Sequence, residues 1–220
     1  MKAVILAAGR GTRMGALTEE LPKPLLEARG KTLLHHKLDE LPDCVDEIVL
    51  VVGYHGPKIR ERIGDAHGER MVTYVTQETL DGTAGALWQA SEFLTERFLV
   101  MMGDDIYTKQ DAEHCLTTDG WTLLVQETDG PGEAGSILTE NGRMTAIREG
   151  RFEGPALICT NLFALDSRIF EYPLVPKAPG SSEYGLPQTV LAASLASGIP
   201  LNTVSTKEWI QVTAPEDLRF

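Results

Sequence analysis

The sequence has no apolar run approaching the roughly 18 residues that a membrane span requires. Its start, MKAVILAAGRG, lacks the longer apolar stretch and small-residue cleavage site of a signal peptide. Neither membrane insertion nor secretion is expected, and the apolar opening reads as a first buried strand. Cysteine is scarce: Cys44, Cys115 and Cys159 lie far apart with no C-x-x-C pairing, which argues against a disulfide framework and a zinc ribbon. A reducing cytoplasm fits that usage. The five histidines form no H-E-x-x-H or H-x-H pattern, and the adjacent His35 and His36 point to different faces of any helix, so a histidine metal site is not expected. Positive charge is also in deficit, with 20 Lys and Arg against 32 Asp and Glu and a net charge of −12. Nucleic acid is thereby disfavoured as a partner, because duplex binding needs a basic surface.

The positive charge that exists is clustered. Residues 1–37 hold seven Lys or Arg (Lys2, Arg10, Arg13, Lys23, Arg29, Lys31, Lys37) against Glu19, Glu20 and Glu27, a balance of +4 that leaves −16 for the rest. A basic segment on an acidic protein concentrates a small anion there. Runs rich in Val, Ile and Leu at 3–8, 48–53, 71–76, 98–103 and 121–126 read as buried strands of a largely parallel sheet. Helical spacing falls between them, at 33–41, 57–63, 83–94 and 111–116. That alternation predicts an α/β fold, a Rossmann-like doubly wound sheet with its ligand site at the carboxyl ends of the strands. From about residue 127 the texture changes to short runs punctuated by glycine. Runs at 136–139 and 143–147 flank Glu140-Asn141-Gly142, a hairpin signal. A strand is expected at 156–165, a helix at 183–197 interrupted near Pro187, and closing strands at 200–204 and 209–212. The expected organisation is one domain over 1–220, with a nucleotide-binding core over about 1–126 and a smaller, β-rich, substrate-covering half over about 127–220.

The first strand runs straight into Gly9-Arg10-Gly11-Thr12-Arg13-Met14 and then Leu21-Pro22-Lys23-Pro24-Leu25. Glycines just past a strand end let backbone N–H groups approach a phosphate closely, while Arg13 and Lys23 reach the same anion from two directions. Two familiar alternatives fail on spacing. A G-x-G-x-x-G fingerprint would need glycine where Met14 stands, and the Walker-like Gly30-Lys31-Thr32 has Leu25 in place of its first glycine. A second motif, Gln77-Glu78-Thr79-Leu80-Asp81-Gly82-Thr83-Ala84, follows the third strand and opens a helix. The Gln77 amide offers both a donor and an acceptor, which suits the imide edge of uracil or thymine. A third motif, Gly103-Asp104-Asp105, ends an apolar strand and exposes a carboxylate where a hard cation bridging to phosphate can use it.

Ala7-Ala8-Gly9-Arg10-Gly11-Thr12-Arg13-Met14 followed by Leu21-Pro22-Lys23-Pro24-Leu25-Leu26 resembles the signature of sugar-1-phosphate nucleotidylyltransferases, the sugar-nucleotide pyrophosphorylases. The resemblance implies that Ala8, Gly9, Gly11 and Thr12 bind the nucleotide, Arg13 holds its β- and γ-phosphates, and Lys23 stabilises charge at the α-phosphate. It assigns base reading to Gln77, Gly82 and Thr83, and Mg²⁺ to Asp104. Sugar contacts fall on Asp105 beside that motif and on Gly135, Glu149, Asn161 and Glu183 in the smaller, sugar-binding half. Two departures stand out. The lysine that often follows the glutamate in relatives is replaced after Glu149 by Gly150-Arg151. In the closing segment Trp209-Ile210-Gln211-Val212-Thr213-Ala214-Pro215-Glu216-Asp217-Leu218, Gln211 stands where an Asp normally helps hold the metal, and its neutral amide oxygen should bind Mg²⁺ more weakly.

The implied partners are a nucleoside triphosphate, UTP or dTTP for preference, and a sugar 1-phosphate; the reading leaves room for a homo-oligomer. Three alternatives remain: a mannose-type guanylyltransferase, a phosphocholine-type cytidylyltransferase, and a non-catalytic domain that binds nucleotide sugars.

Overall fold

The computed structural model describes residues 1–219; Phe220, the last residue of the expected domain, lies outside them. The strands longer than two residues are β1 (Lys2–Ala7), β2 (Glu47–Val52), β3 (Arg70–Thr76), β4 (Arg97–Met102), β5 (Trp121–Thr128), β6 (Ser136–Glu140), β7 (Arg143–Arg148), β8 (Ala156–Asp166) and β9 (Leu201–Thr206). Ala3, Val4 and Ile5 of β1 have no exposed surface, so successive side chains are buried on both faces and the strand needs cover on each side. Helices α1 (Leu33–Asp39), α2 (Gly56–Ile63) and α4 (Lys109–Thr117) contribute to one buried layer. Helices α3 (Thr83–Gln89) and α5 (Leu186–Ser197) contribute to the other. The result is a doubly wound α/β fold on a mixed sheet.

That sheet has ten strands in the order β6-β7-β9-β5-β8-β4-β1-β2-β3, closed at the β3 edge by the short strand Ala66–His67. β1 to β4 are parallel neighbours, as the alternation predicts. β8 then enters antiparallel between β4 and β5, so a strand from the second half of the chain is woven into the first. The 136–147 hairpin forms between β6 and β7, with Asn141 (φ 51°) and Gly142 (φ 74°) supplying the two positive φ values of a tight turn.

Three expected elements differ. Pro187 opens α5 instead of interrupting it: in the first turn its missing N–H has no intrahelical partner to lose, and residues 183–185 belong to the preceding loop. No closing strand forms at 209–212. Ile210 makes only an isolated antiparallel bridge with Ile106, which carries this segment across the end of β4. The expected helix over 83–94 also ends early, at Gln89, and continues as a 3₁₀ turn over Ser91–Phe93. Among the described residues, no helix is long and apolar enough to cross a membrane.

Candidate active-site cleft

The carboxyl ends of β1, β2, β3 and β4 converge at one edge of the sheet. There the Tyr54 N–H donates to the Ala8 carbonyl at 3.0 Å, the Gln77 N–H to Val52 at 2.8 Å and the Gly103 N–H to Leu6 at 2.8 Å. Above them opens a cleft of about 750 Å³. Ala8, Gly9, Gly11, Thr12, Arg13, Lys23, Gln77, Gly82, Thr83, Asp104 and Asp105 line it, together with Gly135, Glu149, Asn161, Glu183 and Gln211 from the second half of the chain. Every candidate residue named from the sequence thus borders the same space.

Lys23 is the best-fixed of them. It sits in a 3₁₀ turn (Lys23–Leu25) between Pro22 and Pro24, whose rings limit the local backbone, and is only 6% exposed. Its Nζ donates to Asp104 Oδ2 at 2.6 Å and to the Val212 carbonyl. Gly11 explains why the glycine loop and the lysine go together. Its φ of 63° is left-handed, and a Cβ there would stand 2.8 Å from Lys23 Cβ, so a side chain at 11 would strain the loop and displace the lysine. Arg13 is exposed on the same loop.

Asp105 behaves differently from the sugar contact expected of it. It is 6% exposed, and its Oδ1 accepts from the Val212 N–H at 3.3 Å, so the carboxyl braces the 210–213 segment. Burial, reinforced by the neighbouring Asp104 charge, pushes its pKa up to about 7, against the pull of Lys37 and Lys23. Beneath it lies Lys37, on the buried face of α1 and 1% exposed. The Lys37 ammonium donates to the Asp105 carbonyl and lies 5.3 Å from the Tyr107 ring centre. Burial pulls its pKa down to about 8, partly offset by the charges of Asp105 and Asp104. Lys37 was not singled out from the sequence. The signal was present, because Leu33, Leu34, Leu38 and Leu41 are all buried and position 37 falls on the same helical stripe.

At the end of β3, the Gln77 Nε2 donates both to Asp81 Oδ1 at 2.8 Å and to the Gly82 carbonyl at 3.1 Å. Both amide hydrogens are thereby committed, and Oε1 remains as the acceptor that this side chain offers a ligand. Asp81, which fixes that orientation, was a second residue the sequence did not mark. Gly82 has a φ of 103°, and a Cβ there would lie 2.3 Å from the Tyr184 carbonyl. The loop carrying Glu183 therefore packs directly on the 81–84 loop, joined by Tyr184 N–H to Asp81 at 2.6 Å and Ala84 N–H to Tyr184 at 3.1 Å.

In the second half of the chain, Glu149 accepts from Gln188 Nε2 at 2.7 Å and lies 3.9 Å from Lys177 Nζ. Gly135 lies beside Glu149 and Ile147, a Cβ there standing 3.4 Å from Glu149 Oε1 and 3.3 Å from Ile147 Cδ1. Asn161 has a φ of 59°, a conformation asparagine tolerates, at the point where β8 slips register between Cys159 and Phe163. Gln211 is exposed at the cleft margin.

A family model described as Nucleotidyl transferase matches residues 2–119. A UTP–glucose-1-phosphate uridylyltransferase, AglF, of Haloferax volcanii is 30% identical over 230 residues, covering 99% of this chain and 93% of that protein. The bifunctional protein GlmU of Methanocaldococcus jannaschii is 29% identical over 223 residues, and the chain spans 52% of its length while 99% of this chain is covered. Among solved structures, a putative glucose-1-phosphate thymidylyltransferase from Bacillus anthracis superposes with a TM-score of 0.85 at 25% identity, covering 99% of this chain and 92% of that one. An inositol-1-phosphate CTP transferase from T. maritima, at 21% identity and a TM-score of 0.76 over 98% of this chain and 90% of its own, shares the fold.

The Asp105 environment gives a stability prediction. A carboxyl whose folded pKa is raised binds its proton more tightly when folded, so its contribution is full below about pH 4 and disappears as pH rises through about 7. Asparagine cannot titrate. Thermal unfolding at about pH 5 and pH 7 should therefore show a steeper loss of Tm in the wild type than in Asp105→Asn; equal slopes would contradict the assignment.

Proposed function

The chain belongs to the nucleotidyl transferase family, and on that premise we propose that it transfers a nucleotidyl group from a nucleoside triphosphate to a sugar 1-phosphate. The observation that carries this reading is the buried Lys23 ammonium, held by Asp104 and Val212 in a cleft that the glycine loop and several carboxylates and amides also border. A phosphate oxygen of the sugar phosphate attacks the α-phosphorus and forms the new P–O bond. The bond from the α-phosphorus to the bridging oxygen breaks, and its electrons leave with pyrophosphate. Lys23 meets the charge that develops on the α-phosphate, while Arg13 and the loop N–H groups of residues 9–12 hold the departing phosphates. Such chemistry runs on positioning and electrostatics, with no covalent enzyme intermediate.

Mg²⁺ is the proposed cofactor. The Asp104 carboxylate and the Gln211 amide oxygen are hard oxygen donors bordering one cleft, and they suit an ion that uses one or two carboxylates and fills its shell from phosphates and water. When bound, the ion supplies positive charge against the phosphate oxygens. No cluster of three His, Cys, Asp or Glu able to hold a metal occurs among the described residues, which favours binding together with the triphosphate.

For the base, Gln77 Oε1 requires a donor on the nucleotide, and the N3–H of uracil or thymine supplies it, with the Gly82 N–H available to a flanking carbonyl. UTP or dTTP is the proposed donor. Glu149, Asn161 and Glu183 are proposed to bind the sugar hydroxyls, and a reducing cytoplasm is the proposed setting. Cytosine presents an amino donor to the same acceptor, so CTP is the second reading and the first competitor to exclude.

Following pyrophosphate with Mg²⁺, each nucleoside triphosphate and a panel of sugar 1-phosphates tests the reaction, with UTP or dTTP expected to lead. A preference for GTP or ATP would overturn the base assignment. Lys23→Met, which keeps the stem packed on Gly11, and Arg13→Ala should each lower turnover by roughly 100- to 1,000-fold with the fold retained. Near-normal turnover in either variant would remove that residue from the mechanism. For the metal, chelator should abolish activity, and Gln211→Asp should tighten Mn²⁺ binding in the absence of nucleotide by isothermal titration. Tight Mn²⁺ binding to the empty wild-type protein would argue against the site as drawn.

A further inference from the structure

Lys37 has no place in the mechanism above, and burying it is costly. A fully buried ammonium in an apolar helix face needs partners, and an apolar residue of similar size would stabilise the fold at least as well. Its surroundings explain what that cost accompanies. Lys37 donates to the carbonyl of Asp105, the residue next to Asp104. Asp105 Oδ1 accepts from the Val212 N–H, the Val212 carbonyl accepts from Lys23 Nζ, and Lys23 Nζ returns to Asp104 Oδ2. Those contacts close a ring through residues 104, 105, 212 and 23, and Lys37 pins the ring from the core side. Tyr107 offers its ring face and commits its hydroxyl to the Thr160 carbonyl at 2.7 Å, so it presents no competing donor to the ammonium.

We propose that Lys37 is a positioning residue for nucleotidyl transfer: its buried ammonium holds the Asp104–Asp105 turn, and through Val212 the Lys23 ammonium, in the register that meets the α-phosphate. Lys37 touches neither substrate. Its effect belongs in the transition state, where a small displacement of Lys23 costs most, and not in the binding of either substrate. The inference rests on the proposed function for its kinetic reading and on hydrogen-bond geometry alone for its structural one.

Two variants separate charge, hydrogen bond and packing. Lys37→Met keeps the volume and removes both charge and donor; Lys37→Gln keeps a neutral donor for the Asp105 carbonyl. The expected result is a Lys37→Met protein at least as thermally stable as the wild type, with kcat lowered roughly 10- to 100-fold and KM for triphosphate and sugar phosphate little changed. Lys37→Gln should recover part of the lost kcat. Wild-type kcat in folded Lys37→Met, or a raised KM at unchanged kcat, would overturn the proposal. Should Lys37→Met fail to fold, Lys37→Gln is read by the same kinetic criteria. Hydrogen exchange supplies a readout independent of activity: the Val212 amide should lose protection in Lys37→Met while β1 and β2 amides keep theirs. Unchanged Val212 protection would overturn the proposal even if the wild-type protein released no pyrophosphate from any substrate pair, an outcome that would instead count against the proposed function.

Discussion

The site is organised around one buried cation that must be shared. Lys23 comes from a turn near the start of the chain, Asp104 from the end of β4 and Val212 from a segment near the carboxyl terminus, and all three meet at a single Nζ. An ammonium that deep in a protein tolerates little loss of partners, because each missing contact leaves charge unpaid by solvent. The constraint reaches outward. β1 must lie beside β4 so that residues 9–23 and 103–105 emerge at the same edge, and the parallel pairing of those strands provides it. The Ile106–Ile210 bridge then has to bring the last segment back over the β4 end.

The same constraint accounts for the uneven charge. A net −12 protein would repel a polyphosphate if its charges were evenly spread, yet the cations bordering the cleft include Arg10, Arg13 and Lys23 from the basic first segment. Glu133, Glu149 and Glu183 border the same cleft, and their carboxylates suit neutral hydroxyls better than phosphate. Lys177 lies 3.9 Å from Glu149.

Much of this was legible because it is local. Five strands, four helices between them, the Asn141-Gly142 turn and the glycine loop each depend on residues within a dozen positions of one another, and period and turn chemistry report them directly; the burial expected of 71–76 is met only at Val72, because that strand lies near the sheet's edge. What escaped was nonlocal. Nothing in the run 156–166 states that it will slide between β4 and β5, since a strand's neighbours are chosen by the whole sheet. The segment 209–212 has strand-like residues, but it has one bridge partner and so remains a loop. Lys37 escaped for a different reason: a lysine on a leucine stripe reads as a solvated edge unless the buried turn beneath it is known. The burial of Asp105 was illegible for the same reason: it borders the cleft, yet its carboxyl is tied to Val212, about a hundred residues away, while Asp104 stays more exposed.

The contact between Gly82 and Tyr184 links the two sides of the cleft more tightly than the lining alone suggests. Asp81 holds the orientation of the Gln77 amide, and the Asp81 carbonyl in turn accepts from the Tyr184 N–H. Tyr184 follows Glu183 directly, and the Thr83 hydroxyl accepts from the Leu186 N–H at 2.9 Å at the start of α5. A ligand that shifts the 183–186 loop therefore acts on the 81–84 loop through two backbone hydrogen bonds and the Thr83 hydroxyl. Gly82 is the point where that linkage leaves no slack, since a Cβ would collide with the Tyr184 backbone at 2.3 Å. Its positive φ and its missing side chain serve the same end: two loops about a hundred residues apart in sequence behave as one wall.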